Sequence, residues 1–292
     1  MKLKLFDGSN SVSHISILCM FKNNEEYLNT FFFKAMNLFE QTYDVQFDYF
    51  IHENNSKDST KELLKKFIRT KSKCSQLVVY DLERDYKNIG NGKNYDRISN
   101  LGKIRNKLVE MSRPFQSEWN LFIDSNIFFE PSILTEMFSC KPTESNIGMF
   151  SPYTQQLLIP GVHIDSANQK PVLRKHYYDT FSYFDTTSKT FWPYCPFEKC
   201  ELCCEHIQSK TKYRKTVPKT KDVVDVNSAF GGFAIIHRDI LNNEHVKWDT
   251  CSHDSTKDES LCEHFLFCFL AKRLTGKRIV ILQNVDTIHR TY

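Results

Sequence analysis

Apolar runs and helical stripes alternate through the first half of the chain. Ile15–Phe21 (ISILCMF) is short, continuous and apolar, which predicts a buried strand. Glu25–Phe39 follows with Leu28, Phe31, Phe32, Ala35 and Phe39 at helical spacing. Val45–His52 predicts a second strand. Ser59-x-x-Glu62 then matches a capping box ahead of the stripe Leu63, Leu64, Phe67 and Ile68. Gln76–Asp81 predicts a third strand and Glu118–Asp124 a fourth. Between them Arg97–Met111 carries Ile98, Leu101, Ile104, Leu108 and Met111 on one helical face. Such alternation predicts an α/β fold, a mostly parallel sheet flanked by helices, in a single domain over 1–292.

The periodicity fades over about 160–222. Five prolines between Pro160 and Lys221, several aromatics and a cysteine cluster read as an irregular insertion. Order returns at Val223–Leu241, where Gly231-Gly232 precedes the apolar run Phe233–Ile236. A helix is expected from Asp258 or Ser260 to Leu274, with Gly276 as its stop. A last strand, Arg278–Gln283, leads into a tail holding His289.

Composition narrows the class. The 292 residues, 40% hydrophobic and 25% charged, are those of a globular chain and not a disordered one. A net charge of +4, from 39 basic and 35 acidic residues, is too mild for a nucleic-acid groove. The most apolar stretch, Phe265–Ala271, is far short of the roughly 20 residues that span a bilayer. The first residues, MKLKLFDGSNSVSH, lack the apolar run and cleavage site of a signal peptide. The expectation is a soluble cytoplasmic protein with its 10 cysteines mostly reduced. Abundant Phe, Tyr, Lys and Asn with little Gly match an AT-rich genome, as in a protist or a large DNA virus.

Ligands of open α/β sheets gather beyond the carboxyl ends of the strands. Here those ends read Lys22-Asn23-Asn24-Glu25, Glu53-Asn54-Asn55-Ser56-Lys57-Asp58 and Asp124-Ser125-Asn126. None is a glycine-rich dinucleotide loop or a P-loop. The pattern resembles glycosyltransferases of the GT-A fold, particularly their family 2-like branch. Asn24-Glu25 is similar to the Asn-Glu pair ending their first strand, and Glu53 with Ser56-Lys57-Asp58 to the acidic turn ending the second. Arg105-Asn106 is similar to their helical Arg-Asn pair, and Asp124-Ser125-Asn126 is a variant of Asp-x-Asp. The resemblance runs in order over residues 12–150 and more loosely over 223–292.

It implies a Rossmann-related sheet with a nucleotide-sugar half, 12–150, and an acceptor half, 151–292. Asn24, Glu53, Asp58, Arg105, Asn106 and Asp124 would bind a UDP- or GDP-sugar. Asp124, Asn126 and His289 would hold Mn²⁺ or Mg²⁺, hard cations that take oxygen ligands. Asn126 stands where the family usually has a second Asp, which removes a negative charge from that site. Asn227–Ile236 resembles the acceptor-side strand, with Gly231 and Gly232 leaving room for a sugar. The base that deprotonates the acceptor hydroxyl would be Glu263, with Glu259 and Asp258 next. Cys262-Glu263-His264 looks like a Cys-Glu-His triplet in relatives that also carry a Phe-Gly-Gly strand. The implied reaction is metal-dependent, inverting glycosyl transfer to a hydroxyl of a glycan or protein.

Plainer readings stand beside these. Asp124, Glu53 and Asp58 could cap turns, Glu263 could form a capping box with Ser260, and the glycine pair could mark a bulge. Arg105 could be a solvated helix residue, and His289 a structural one. Cys195, Cys200, Cys203, Cys204 and His206 could bind a structural zinc, stay free thiols or pair as disulfides. The aromatics Tyr177, Tyr178, Phe181, Tyr183, Phe184, Phe191, Trp192 and Tyr194 could line an acceptor groove by stacking on sugar rings, and most of them read first as a local core. Two other functions also fit: a catalytically degenerate GT-A domain serving as a scaffold, and a nucleotidyltransferase.

Overall fold

A computed structural model describes residues 2–79, 95–158, 172–179, 182–186, 222–250 and 262–290. A short hairpin, β1 (Leu5–Asp7) and β2 (Asn10–Val12), leads into β3 (His14–Phe21). The helical run that follows is α1 (Glu25–Tyr27), a π turn over Leu28–Phe32, and α2 (Phe33–Thr42). Next come β4 (Gln46–Glu53), α3 (Thr60–Arg69), β5 (Gln76–Val79), α4 (Tyr95–Ser112) and β6 (Trp119–Ile123). The second half holds β7 (Ile127–Phe128), α5 (Ile133–Phe138), β8 (Ile147–Leu158), β9 (Val172–Tyr177) and β10 (Phe184–Asp185). It ends with β11 (Val223–Ser228), β12 (Phe233–His237), α6 (Arg238–Asn242), α7 (Glu263–Thr275) and β13 (Arg278–Arg290).

Eleven strands form one sheet, ordered β10-β11-β13-β8-β12-β6-β3-β4-β5, with β7 on β13 and β9 on β8. The expected α/β sheet is present, and it is parallel throughout β6, β3, β4 and β5. The second half is mixed: β12 runs antiparallel to both β6 and β8, while β8 and β13 are parallel. Strand β3 shows why both faces are covered. Ile15, Ile17, Cys19 and Phe21 pack on one side with Phe32, Phe39, Leu64 and Phe67 of the helices after β3 and β4. Leu18 packs on the other with Ile104 and Leu108 of α4 and Phe267 and Cys268 of α7. Period-two alternation into two apolar layers accounts for the continuous run in the sequence.

Several expectations change. Strand β13 continues to Arg290, so His289 lies in the sheet and not in a tail. Its far end pairs with β8 and β7, and Val285 and Thr287 alternate inward. The polar letters between them hid that period. Strands β9 and β10 fall inside the stretch read as irregular; both pair within the sheet. Helix α7 begins at Glu263, with Cys262 in an extended conformation before it. The capping box is not formed: Ser59 makes no side-chain cap, and Asp58 Oδ1 accepts the Thr60 N–H at 3.1 Å instead. Gly276 does stop α7, in the left-handed region at φ 67°. Tyr80 and Asp81, predicted to end β5, lie outside the described residues, as do Asp258, Glu259, Ser260, the 195–206 cysteine cluster, Phe181, Phe191, Trp192 and Tyr194.

Candidate active site

The loops after β3 and β4 are stitched together by side chains that bond the opposite backbone. Asp58 Oδ2 accepts the Glu25 N–H at 3.0 Å, and Glu25 Oε2 accepts the Ser59 N–H at 3.1 Å. Asn23 Oδ1 and Thr60 Oγ1 take the N–H groups of Lys57 and Asn24. Burial raises the Asp58 carboxyl, but hydrogen bonds from Thr60 and Glu25 outweigh it and leave its pKa lowered. Asn24 reaches from this pair of loops toward the turn after β6, its Nδ2 lying 3.4 Å from Asn126 Oδ1. Glu53 is fully buried: Oε1 accepts the Ser56 N–H at 2.7 Å, while Oε2 meets no partner among the described residues.

Beside these loops a cleft of about 520 Å³ opens past the carboxyl ends of β3 and β6. Of the residues predicted from sequence, Arg105, Asp124, Asn126, Gly232, Glu263 and His289 line it. Asn24, Glu53, Asp58, Asn106 and Gly231 stand outside its wall. Asp124 follows β6 directly, and its N–H donates to Gly232 O at 2.8 Å. Gly232 has φ +74°, and a Cβ there would lie 2.7 Å from Ile127 Cδ1, so only glycine brings this turn against Asp124. Asn126 is likewise left-handed, at φ 68°. Its carbonyl accepts the Arg290 N–H at 3.0 Å, which brings His289 beside the same turn.

Arg105 sits at the back of the cleft, 2% exposed. Its Nη2 donates to both Asp124 oxygens at 3.1 Å, and its Nη1 to Glu263 Oε1. Burial alone would lower the guanidinium pKa; Asp124 and Glu263 overcome this and raise it. The charge is permanent, and its Cζ lies over the Phe230 ring, 5.0 Å from the centroid. Glu263, the first residue of α7, is 3% exposed and so has exchanged water for this ion pair and the helix N-terminus. Its Oε2 lies 3.5 Å from Cys262 Sγ, whose thiol pKa is pushed well up by burial and by Glu263.

Tyr178, one of the aromatics with two readings, lines the cleft just after β9 and stacks on His289 at 3.9 Å and 10°. Sequence reasoning missed Asp179 beside it, which lines the cleft too. Asp179 accepts the Gly231 N–H at 3.1 Å, and burial raises its carboxyl pKa, with Glu263 adding to the rise. Nothing in an aromatic-rich stretch singled it out. Arg97 also lines the cleft, and here a signal existed: Arg97, Leu101 and Arg105 recur every four residues along one face of α4.

A divalent cation suits part of this donor set. Asp124 is 32% exposed on its side chain, and its carboxylate and the Asn126 amide are hard oxygen donors on one turn beside the His289 ring. The Asp124 oxygens are shared with Arg105, and Asn126 contributes no charge.

The parallel-then-mixed sheet, with a carboxylate ending β6 and a cleft beyond the strand ends, is the GT-A fold of glycosyltransferases. The family described as Cryptococcal mannosyltransferase 1 matches residues 14–269, and the chain belongs to it. That match carries no indication of a viral source. Among curated proteins none matches. Solved structures agree on the fold. TarS 1-349 of S. aureus in complex with UDP-GlcNAc superposes with a TM-score of 0.50 at 14% identity, over 96% of this chain and 59% of that one. TarS 1-349 without a named ligand gives 0.50 and 14%, over 95% and 60%. GalNAc-T7 with UDP, GalNAc and Mn²⁺ gives 0.53 and 12%, over 96% and 43%. The chain thus spans about three fifths of the TarS structure it matches. No described helix is long and apolar enough to cross a membrane.

Proposed function

We propose that the chain transfers a glycosyl group, mannosyl by the name of its family, from a UDP- or GDP-sugar to a hydroxyl of a glycan or protein. The observation that carries this reading is Arg105 joining Asp124 to Glu263 within one cleft at the strand ends. In this reading the donor diphosphate would lie beside Asp124, with Glu263 across the same guanidinium.

In this reading Glu263 is the base. Its Oε1 is held by Arg105, and its Oε2, which meets only the weak Cys262 thiol donor at 3.5 Å among the described residues, would take the proton of the acceptor hydroxyl. The acceptor oxygen then bonds to the anomeric carbon as the bond from that carbon to the diphosphate breaks on the opposite face, with inversion. The diphosphate leaves with the electron pair. Arg105 and Arg97 place positive charge beside the cleft to meet it. Mn²⁺ or Mg²⁺ bound by Asp124, Asn126 and His289 would neutralise the departing diphosphate. Tyr178 and Asp179 would face the acceptor, a stacking ring and a hydroxyl-binding carboxyl side by side.

Nucleotide release from UDP-, GDP- and CMP-sugars, with Mn²⁺ or with EDTA, tests the reading. Release of one nucleotide that needs metal and is lost in Asp124→Ala is expected. No release from any donor overturns it.

A further inference from the structure

Cys262, Glu263 and His264 bring a thiol, a carboxylate and an imidazole within 4.8 Å of one another. Those donor types would suit zinc, but the protons are placed otherwise. Trp248 Nε1 bonds His264 Nδ1 at 3.0 Å, and an indole nitrogen can only donate. Burial and Arg105 hold the His264 pKa well below its usual value, so the ring is neutral. Its proton therefore sits on Nε2, the nitrogen 3.6 Å from Glu263 Oε1. That distance exceeds a hydrogen bond, so the contact orients by electrostatics. Toward Glu263 the imidazole presents a hydrogen and no lone pair for a metal.

Trp248 is itself fixed from helix α4. It lies in irregular chain after α6, yet Asn106 bonds both of its backbone groups. Asn106 Oδ1 accepts the Trp248 N–H at 2.9 Å and Asn106 Nδ2 donates to Trp248 O at 2.8 Å. One turn earlier on the same face stands Gly102, where a Cβ would lie 3.1 Å from that same carbonyl oxygen. A glycine inside a helix is less favourable than alanine; here it lets the Trp248 backbone lie against the helix. The indole also stacks on Phe267 of α7 at 3.7 Å and 9°. The Arg105-Asn106 pair thus reaches Glu263 by two routes, directly through Arg105 and indirectly through Trp248 and His264.

We infer that Asn106 and Trp248 are positioning residues for Glu263, acting through the hydrogen on His264 Nε2. The inference rests on the reading of Glu263 as base. Trp248→Phe keeps a six-membered ring to stack on Phe267 and loses the indole N–H together with the five-membered ring that carries it. Asn106→Ala frees the Trp248 backbone. In either variant kcat for sugar transfer should fall about 10- to 100-fold, with KM for the donor within about twofold of wild type. A ¹⁵N spectrum of the His264 ring should show the proton on Nε2 in the wild type and a mixture of tautomers in Trp248→Phe. Trp248→Phe covers the case in which Asn106→Ala unfolds. Unchanged kcat in Trp248→Phe, or a wild-type proton on Nδ1, overturns the inference. If the wild type turns over no donor, the base reading fails and takes the inference with it. The ring spectrum still reports the Trp248–His264 contact, so the two failures are told apart.

Discussion

Arg105→Met should cost the protein a large part of its stability, because it strands a buried carboxylate. Arg105 and Glu263 are 2% and 3% exposed, so neither charge has water to fall back on. With the guanidinium gone, Glu263 keeps, among the described residues, the Cys262 thiol at 3.5 Å and the His264 ring at 3.6 Å. Asp124, 32% exposed, can rehydrate and adds little. Removing one partner of a buried ion pair costs about 3–5 kcal/mol, against a total stability of about 5–15 kcal/mol. Urea unfolding followed by circular dichroism reads this as a midpoint lower by about 1 M or more, for a slope near 3 kcal/mol per M. Glu263→Gln removes the stranded charge, so Arg105→Met made in that background should cost about 2–3 kcal/mol less. A loss under about 1 kcal/mol in the single variant, or strictly additive effects in the pair, would refute the argument.

Other consequences follow from neighbouring residues. Burial lowers the His52 pKa to about 4 from 6.5, so below pH 6.5 the unfolded chain takes up a proton that the folded chain refuses until about pH 4. Stability should therefore be full above pH 6.5 and fall by about 3 kcal/mol between there and pH 4 through this residue. His52→Gln should flatten that part of a pH series of urea midpoints; an unchanged slope contradicts it. Gly232→Ala forces a side chain into φ +74° and against Ile127, and should lower stability by about 1–3 kcal/mol in thermal unfolding. A neutral effect would mean the turn beside Asp124 is not held as described. His289→Ala should weaken Mn²⁺ binding, read by calorimetry, about 10-fold or more, and an equal affinity would remove His289 from the metal site.

How far the sequence reached depends on the element. The parallel half was legible because its strands are continuous apolar runs bounded by polar loops, and α4 because its stripe keeps helical period. Strand β13 was read short because polar letters mask its alternation after Gln283 and its far end pairs with β7, about 160 residues away. Strand β9, although it pairs with the preceding strand β8, went unread because its letters (VLRKHY) run from two apolar residues into three basic ones without alternation. Local pattern cannot show a pairing made across the fold. The site divides the same way. Asp124, Asn126, Arg105 and Glu263 stood out from residue order and the family resemblance, and all four line the cleft. What the order could not show is that Arg105 joins two carboxylates 139 residues apart, Asp124 and Glu263, or that Asn106 grips Trp248. Asp179 was invisible because its role depends on where the end of β9 lands, which no spacing encodes.

The central claim is that Glu263 is the group that takes the acceptor proton. Its most direct test compares wild type with Glu263→Gln in transfer of sugar from the donor identified by nucleotide release, alongside the calorimetric affinity for the nucleotide. The amide has the same shape as the carboxylate and no basic oxygen, and Asp124 remains paired with Arg105. Transfer should fall by about 10²- to 10⁴-fold while nucleotide affinity changes by no more than about twofold. Transfer retained within a few-fold of wild type would contradict the assignment and leave Glu263 as only the structural partner of Arg105.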